Sequence, residues 1–118
     1  MSASHHAPST LYMIPNDGMG NAPEELRHKV LGTHLALLIE NEMLPGAICF
    51  YTSGVKLVVE GSPVLDELKS LESKGVHLIS CKSCLEHFGI ADKVRVGVVG
   101  GMTDVISAIW AAEKVVTL

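Results

Sequence analysis

Long apolar runs are missing from this 118-residue chain: no stretch reaches the ~18 residues that a membrane-spanning helix needs. Basic runs are missing too. With 9 Lys and Arg against 13 Asp and Glu, the net charge is −4, which argues against a surface that tracks nucleic-acid phosphates. The N-terminus lacks the charged-then-apolar order of a secretory signal. Its "MSASHHAPST" is polar and reads as a disordered tail over residues 1–9, and the His5-His6 pair there is no metal-site pattern by itself. Cysteine is scarce, with 3 residues, an odd number. That excludes the disulfide framework of a small secreted domain and points to a reducing, cytoplasmic setting. Aromatics make up only 4%. No internal repeat, low-complexity tract or linker interrupts the chain.

What is present fits one domain over residues 10–118, at 47% hydrophobic large enough to bury a continuous core. Apolar runs predict five strands, near Leu11–Ile14, Ala47–Tyr51, Val76–Ile79, Val94–Val98 and Val115–Leu118. Near-continuous runs such as "AICFY" suit parallel strands covered on both faces. Between them lie helical patterns. One runs from about Pro23 to Asn41, with Leu26, Val30, Leu31, Leu35 and Leu38 at three- and four-residue spacings. A second is capped by Ser62-Pro63 and lined by Leu65, Leu68 and Leu71. A short one extends from the cysteine pair to Phe88, and the last passes through Val105, Ile106, Ile109 and Trp110. Alternating strands and helices imply an α/β, flavodoxin-like domain: a five-stranded, mostly parallel sheet with helices on both faces.

In such sheets ligands bind beyond the carboxyl ends of the strands. This nominates four loops, Asn16–Asn21, Thr52–Lys56, Ser80–Cys84 and Gly100–Thr103, all rich in glycine or small polar residues. Asn16, Gly18 and Gly20 could present backbone N–H groups to an anion. Ser53, Gly54 and Lys56 form a second turn whose lysine could reach over the site, and Gly100 and Gly101 make a tight strand-to-helix turn. The loop "SCKSC" adds chemistry. A cysteine at a helix start faces unpaired N–H groups that favour thiolate, and Lys82 adds to this. Cys81 is therefore the candidate nucleophile. Cys84, one turn on, could receive its sulfur, resolve its oxidised form, or pack.

Other uses of C-x-x-C stay open. A thioredoxin-type dithiol normally follows the first long strand and an aromatic, and neither holds here. Zinc needs four ligands and the motif supplies two, with His77 and His87 nearby in sequence. Two buried small hydrophobes are the bland possibility. Cys49, inside an apolar strand, reads as core, and His34 as a surface or edge residue of the first helix.

The segments "GVKLVVEGS" (Gly54–Ser62), C-x-x-C-L (Cys81–Leu85) with Gly89 after it, and the "EKVVTL" ending resemble the C-terminal domain of YedF-type proteins. These are sulfurtransferase-like members of the DsrE/DsrF-like (DsrE/TusD) family, linked to selenium metabolism. The resemblance implies a small sulfur-relay protein that carries sulfane sulfur as a persulfide on Cys81. Cys84 matches the second cysteine of that pattern. It further implies a homo-oligomer without a dissociable cofactor, and a separate donor or acceptor protein, because the TusA-like domain that usually precedes this one is not in the sequence. Nucleic-acid and membrane partners are not expected. From a different class, a non-catalytic oligomeric binding module would use its cysteines for metal or packing.

Overall fold

The computed structural model of the protein describes residues 7–118. Five strands form, β1 (Ala7–Ile14), β2 (Pro45–Phe50), β3 (His77–Cys81), β4 (Val98–Gly100) and β5 (Lys114–Thr117). They pair in the order β4-β3-β2-β1-β5, every neighbour parallel. The α/β domain with a five-stranded parallel sheet is thus present, and β3 lies inside it rather than at an edge. Four helices connect the strands: α1 (Glu24–Glu40), α2 (Leu65–Ser73), α3 (Lys82–His87) and α4 (Met102–Ala111).

Strand side chains alternate between the two faces. Tyr12, Ile14, Ile48, Phe50 and Leu78 join Leu31, Leu35 and Leu38 of α1, Leu68 and Leu71 of α2, and Leu85 of α3 in the larger core. Leu11, Met13, Cys49 and Ile79 point the other way and pack with Val105 of α4. Three helices therefore cover one face and α4 alone covers the other. The strand order explains this. From β1 to β4 each connection steps in one direction, so right-handed crossovers put α1, α2 and α3 on one side. The connection from β4 to β5 runs back across the sheet and carries α4 to the opposite side.

Four expectations need correction. β1 begins at Ala7, so 7–9 are strand rather than tail, while residues 1–6, with the His5-His6 pair, lie outside the described residues. The apolar face of α1 is narrower than its spacings suggest: Leu31, Leu35 and Leu38 are buried, but Leu26 and Val30 are exposed. Helix α2 starts at Leu65 with Val64 at its N-cap, and Ser62 instead accepts the Val64 N–H in the turn before it. The fourth strand spans Val98–Gly100, not Val94–Val98. Val94 forms an isolated antiparallel bridge with Val59, and Arg95 N–H donates to the Val58 carbonyl. Gly97, at φ 78°, then turns the chain into β4, and a Cβ there would come within 2.8 Å of Leu78.

Candidate functional site

β3 ends in Cys81, whose extended backbone (φ −68°, ψ 119°) makes it the N-cap of α3. The first N–H groups of a helix have no partner within it; none makes a full capping hydrogen bond to the Cys81 sulfur, but those of Ser83 and Cys84 act on it to lower its pKa. The Ser83 hydroxyl lies 3.3 Å from Sγ. Burial is the largest single influence on Cys81 and pushes its pKa up. The Ser83 hydroxyl, the Cys84 N–H, the Cys84 thiol and the Ser83 N–H together outweigh it and hold the thiol below its ordinary value. Cys81 is only 2% exposed.

Cys84 differs in each respect. It is half-buried, and burial, the hydrogen bond to Cys81 and the charge of Cys81 raise its pKa, against a lowering by the Thr52 N–H. That N–H donates to Cys84 Sγ at 3.1 Å. Thr52 opens a 3₁₀ helix (Thr52–Leu57) directly after β2 and sits at φ 47°, a rare conformation for a β-branched residue. Its hydroxyl donates to the Pro15 carbonyl, which also accepts the Gly54 N–H at 3.2 Å. Gly54 has no room for a side chain: a Cβ would stand 1.9 Å from the Ile14 carbonyl oxygen. The ends of β1, β2 and β3 thus meet at Pro15, Thr52 and Cys84.

The other nominated residues scatter around this point. The first loop closes on itself: Asn16 Nδ2 donates to the Gly20 carbonyl, and Asp17 pairs with Arg27 at 2.8 Å. Gly18 lies against Arg27, where a Cβ would be 2.4 Å from Cγ, and Gly20 is exposed. Ser53 and Gly54 sit in the 3₁₀ helix beside Thr52. Lys56 turns to Phe88, its Nζ 4.4 Å above the ring. Lys82 is exposed next to Cys81, and Gly100 stands opposite Cys81 in the β3–β4 register. Gly101 gives its N–H to the Asp104 carboxylate at 2.9 Å, capping α4.

His77 opens β3 at the end remote from Cys81, and His87 meets Phe88 edge-on. Among the described residues no third ligand joins Cys81 and Cys84, and the one three-ligand grouping is Asp17, Glu24 and His28, far along the chain. His34, expected at a surface or edge position of the first helix, is half-buried and hydrogen-bonded to the Tyr12 hydroxyl at 2.9 Å. Thr52 and Ser83 lie in nominated loops, but the roles of the Thr52 N–H and the Ser83 hydroxyl were not singled out, and the Pro15 carbonyl was missed altogether. Only Ser83, two residues past a helix-capping cysteine, left a signal that could have been used.

A model of the DsrE/DsrF-like family matches residues 20–118. Among solved structures, the YchN protein of E. coli superposes with a TM-score of 0.68 at 16% identity, covering 92% of this chain and 98% of that one. A protein of unknown function from Methanobacterium thermoautotrophicum gives 0.64 at 16% identity, covering 92% and 97%. One from Bacteroides thetaiotaomicron gives 0.65 at 17% identity, covering 93% and 95%. At these identities the likeness is one of fold. No curated protein matches the chain.

Proposed function

The chain belongs to the DsrE/DsrF-like family, which is associated with sulfur relay, and from that premise we propose that it carries sulfane sulfur as a persulfide on Cys81. The single observation that carries this is the hydrogen-bond set around Cys81, which lowers its pKa against the effect of burial. A thiolate is the nucleophile in sulfur exchange. The Cys81 thiolate attacks the outer sulfur of a polysulfide or persulfide donor. A Cys81 S–S bond forms, the donor's S–S bond breaks, and the donor leaves as a thiolate one sulfur shorter. No outside oxidant is needed. The half-buried Cys84 thiol stands between Cys81 and Thr52, placed to hydrogen-bond the loaded sulfur or to accept it. No dissociable cofactor enters this scheme, and a separate protein is the donor or acceptor.

Mutual hydrogen bonding of one low-pKa and one raised-pKa thiol also suits a dithiol couple, the second function that the geometry favours. Mass spectrometry separates the two. After incubation of the reduced protein with inorganic polysulfide, the Cys81 peptide should gain the mass of one sulfur atom. A Cys81–Cys84 disulfide as the sole product, two hydrogens lighter, would overturn sulfur carriage in favour of the couple.

A further inference from the structure

Cys81 and Cys84 interact with each other through a hydrogen bond, but they are not equally open to other molecules. Cys81 is 2% exposed, and the Ser83 hydroxyl rests 3.3 Å from its sulfur. Cys84 is half-buried, and Thr52, whose N–H touches its sulfur, is exposed. Ser83 is exposed as well. A slender, linear donor such as inorganic polysulfide can therefore meet Cys81 once one serine side chain turns. The cysteine of another folded protein is carried on a broad surface. It meets the outer thiol, Cys84, first.

A persulfide on Cys81 brings these two settings into one path. An S–S bond is ~2 Å long, so the outer sulfur projects from Cys81 into the space that its hydrogen-bond partner Cys84 already borders. The Thr52 N–H donates to Cys84 Sγ at 3.1 Å and stabilises that sulfur when it is anionic. The Thr52 hydroxyl donates to the Pro15 carbonyl, which fixes this N–H in place.

We propose that sulfur enters on Cys81 from a small polysulfide, hops to Cys84, and leaves from there to the thiol of a partner protein. The proposal rests on sulfur carriage by Cys81 and gives it a direction. In the hop, the Cys84 sulfur attacks the outer sulfur of the Cys81 persulfide. A Cys84 S–S bond forms, the Cys81 S–S bond breaks, Cys81 departs as a thiolate, and the Cys84 proton passes to solvent. No oxidant or reductant takes part. The hop runs forward because a thiol of lower pKa is the better leaving group. Cys81 is held low and Cys84 is pushed up. The partner's thiolate then attacks the same outer sulfur, and Cys84 is left to take up a proton again.

Trypsin cuts after Lys74, Lys82 and Lys93, so it parts the two cysteines into peptides 75–82 and 83–93. The reduced protein is mixed with inorganic polysulfide, freed of excess donor, and trapped with iodoacetamide at intervals. One sulfur mass should appear first on peptide 75–82 and then gather on peptide 83–93. In Cys84→Ser it should stay on peptide 75–82. Delivery to serum albumin, a folded protein with a free thiol, should then slow on the order of tenfold or more. Cyanide, small enough to reach Cys81, should still draw off thiocyanate at the wild-type rate. Sulfur that never leaves peptide 75–82 in the wild-type protein overturns the hop while leaving carriage by Cys81 intact. So does delivery to albumin that is indifferent to Cys84→Ser. A Cys81–Cys84 disulfide with release of free sulfide overturns it too, because Cys84 has then attacked the inner sulfur. Sulfur on neither peptide overturns carriage itself, and the hop with it.

Discussion

Three cysteines in three settings behave as three different groups. Cys81, pulled below the ordinary thiol pKa by its surroundings, should reach its full alkylation rate, slowed at every pH by burial, at pH values where a free thiol, of pKa about 8.5, is still protonated. Cys84, raised above it, should react only at higher pH, so the two labelling profiles should separate on the pH axis. Cys81→Ser should abolish sulfur loading, whereas Cys84→Ser should keep loading and change only the rate of release, read by the mass of the Cys81 peptide over time. Cys49 is fully buried beneath α4, and burial raises its pKa from 9.0 to about 11. The folded state thus favours its protonated form. That contribution to stability is whole below about pH 9 and is lost as pH rises through about 11. Denaturant midpoints should fall across this window, and Cys49→Ala should flatten the fall at the cost of a lower plateau from the lost packing.

At the scale of elements, the 3₁₀ helix after β2 sets the site. Gly54→Ala would drive a methyl group into the Ile14 carbonyl, so the helix must lift away from β1. The Thr52 N–H would then leave Cys84, raising the pKa of Cys84 further, and thermal melting and the Cys84 labelling profile should both move. For α4, Asp104→Ala removes the carboxylate that caps the Gly101 N–H and should cost about 1 kcal/mol in chemical denaturation. Much of this layout was legible in the residues. Cys81 at a strand end followed by a glycine-stopped helix was visible as pattern, because apolar period and turn residues report local structure directly. The contact of Thr52 with Cys84 was not, because residues 32 apart in sequence meet only through the parallel pairing of β2 with β3. The misplaced fourth strand has a similar origin: "VRVGVV" alternates well, and nothing in that alternation reveals that Gly97 turns at positive φ. Nor could spacing choose the buried side of α1, since Leu26 and Val30 are as apolar as Leu31 and Leu35.

On the scale of the whole molecule, the two cores differ in depth. The one under α1, α2 and α3 holds most of the large buried side chains, so Leu35→Ala should cost about 2–5 kcal/mol in urea unfolding. Val105→Ala, in the thinner core under α4, deletes fewer buried atoms and should cost less. The strand order also bears on how the chain is made. Strands β1 to β4 neighbour one another in the order of synthesis, so each can pair as soon as its successor has left the ribosome. β5 is the exception, for it must find β1, where Leu11 pairs with Val115 across almost the full length of the chain. Until β5 emerges, the nascent protein holds β1 with one edge open, a template for pairing with other chains. Emergence of β5, rather than the folding of any helix, is the event that closes it.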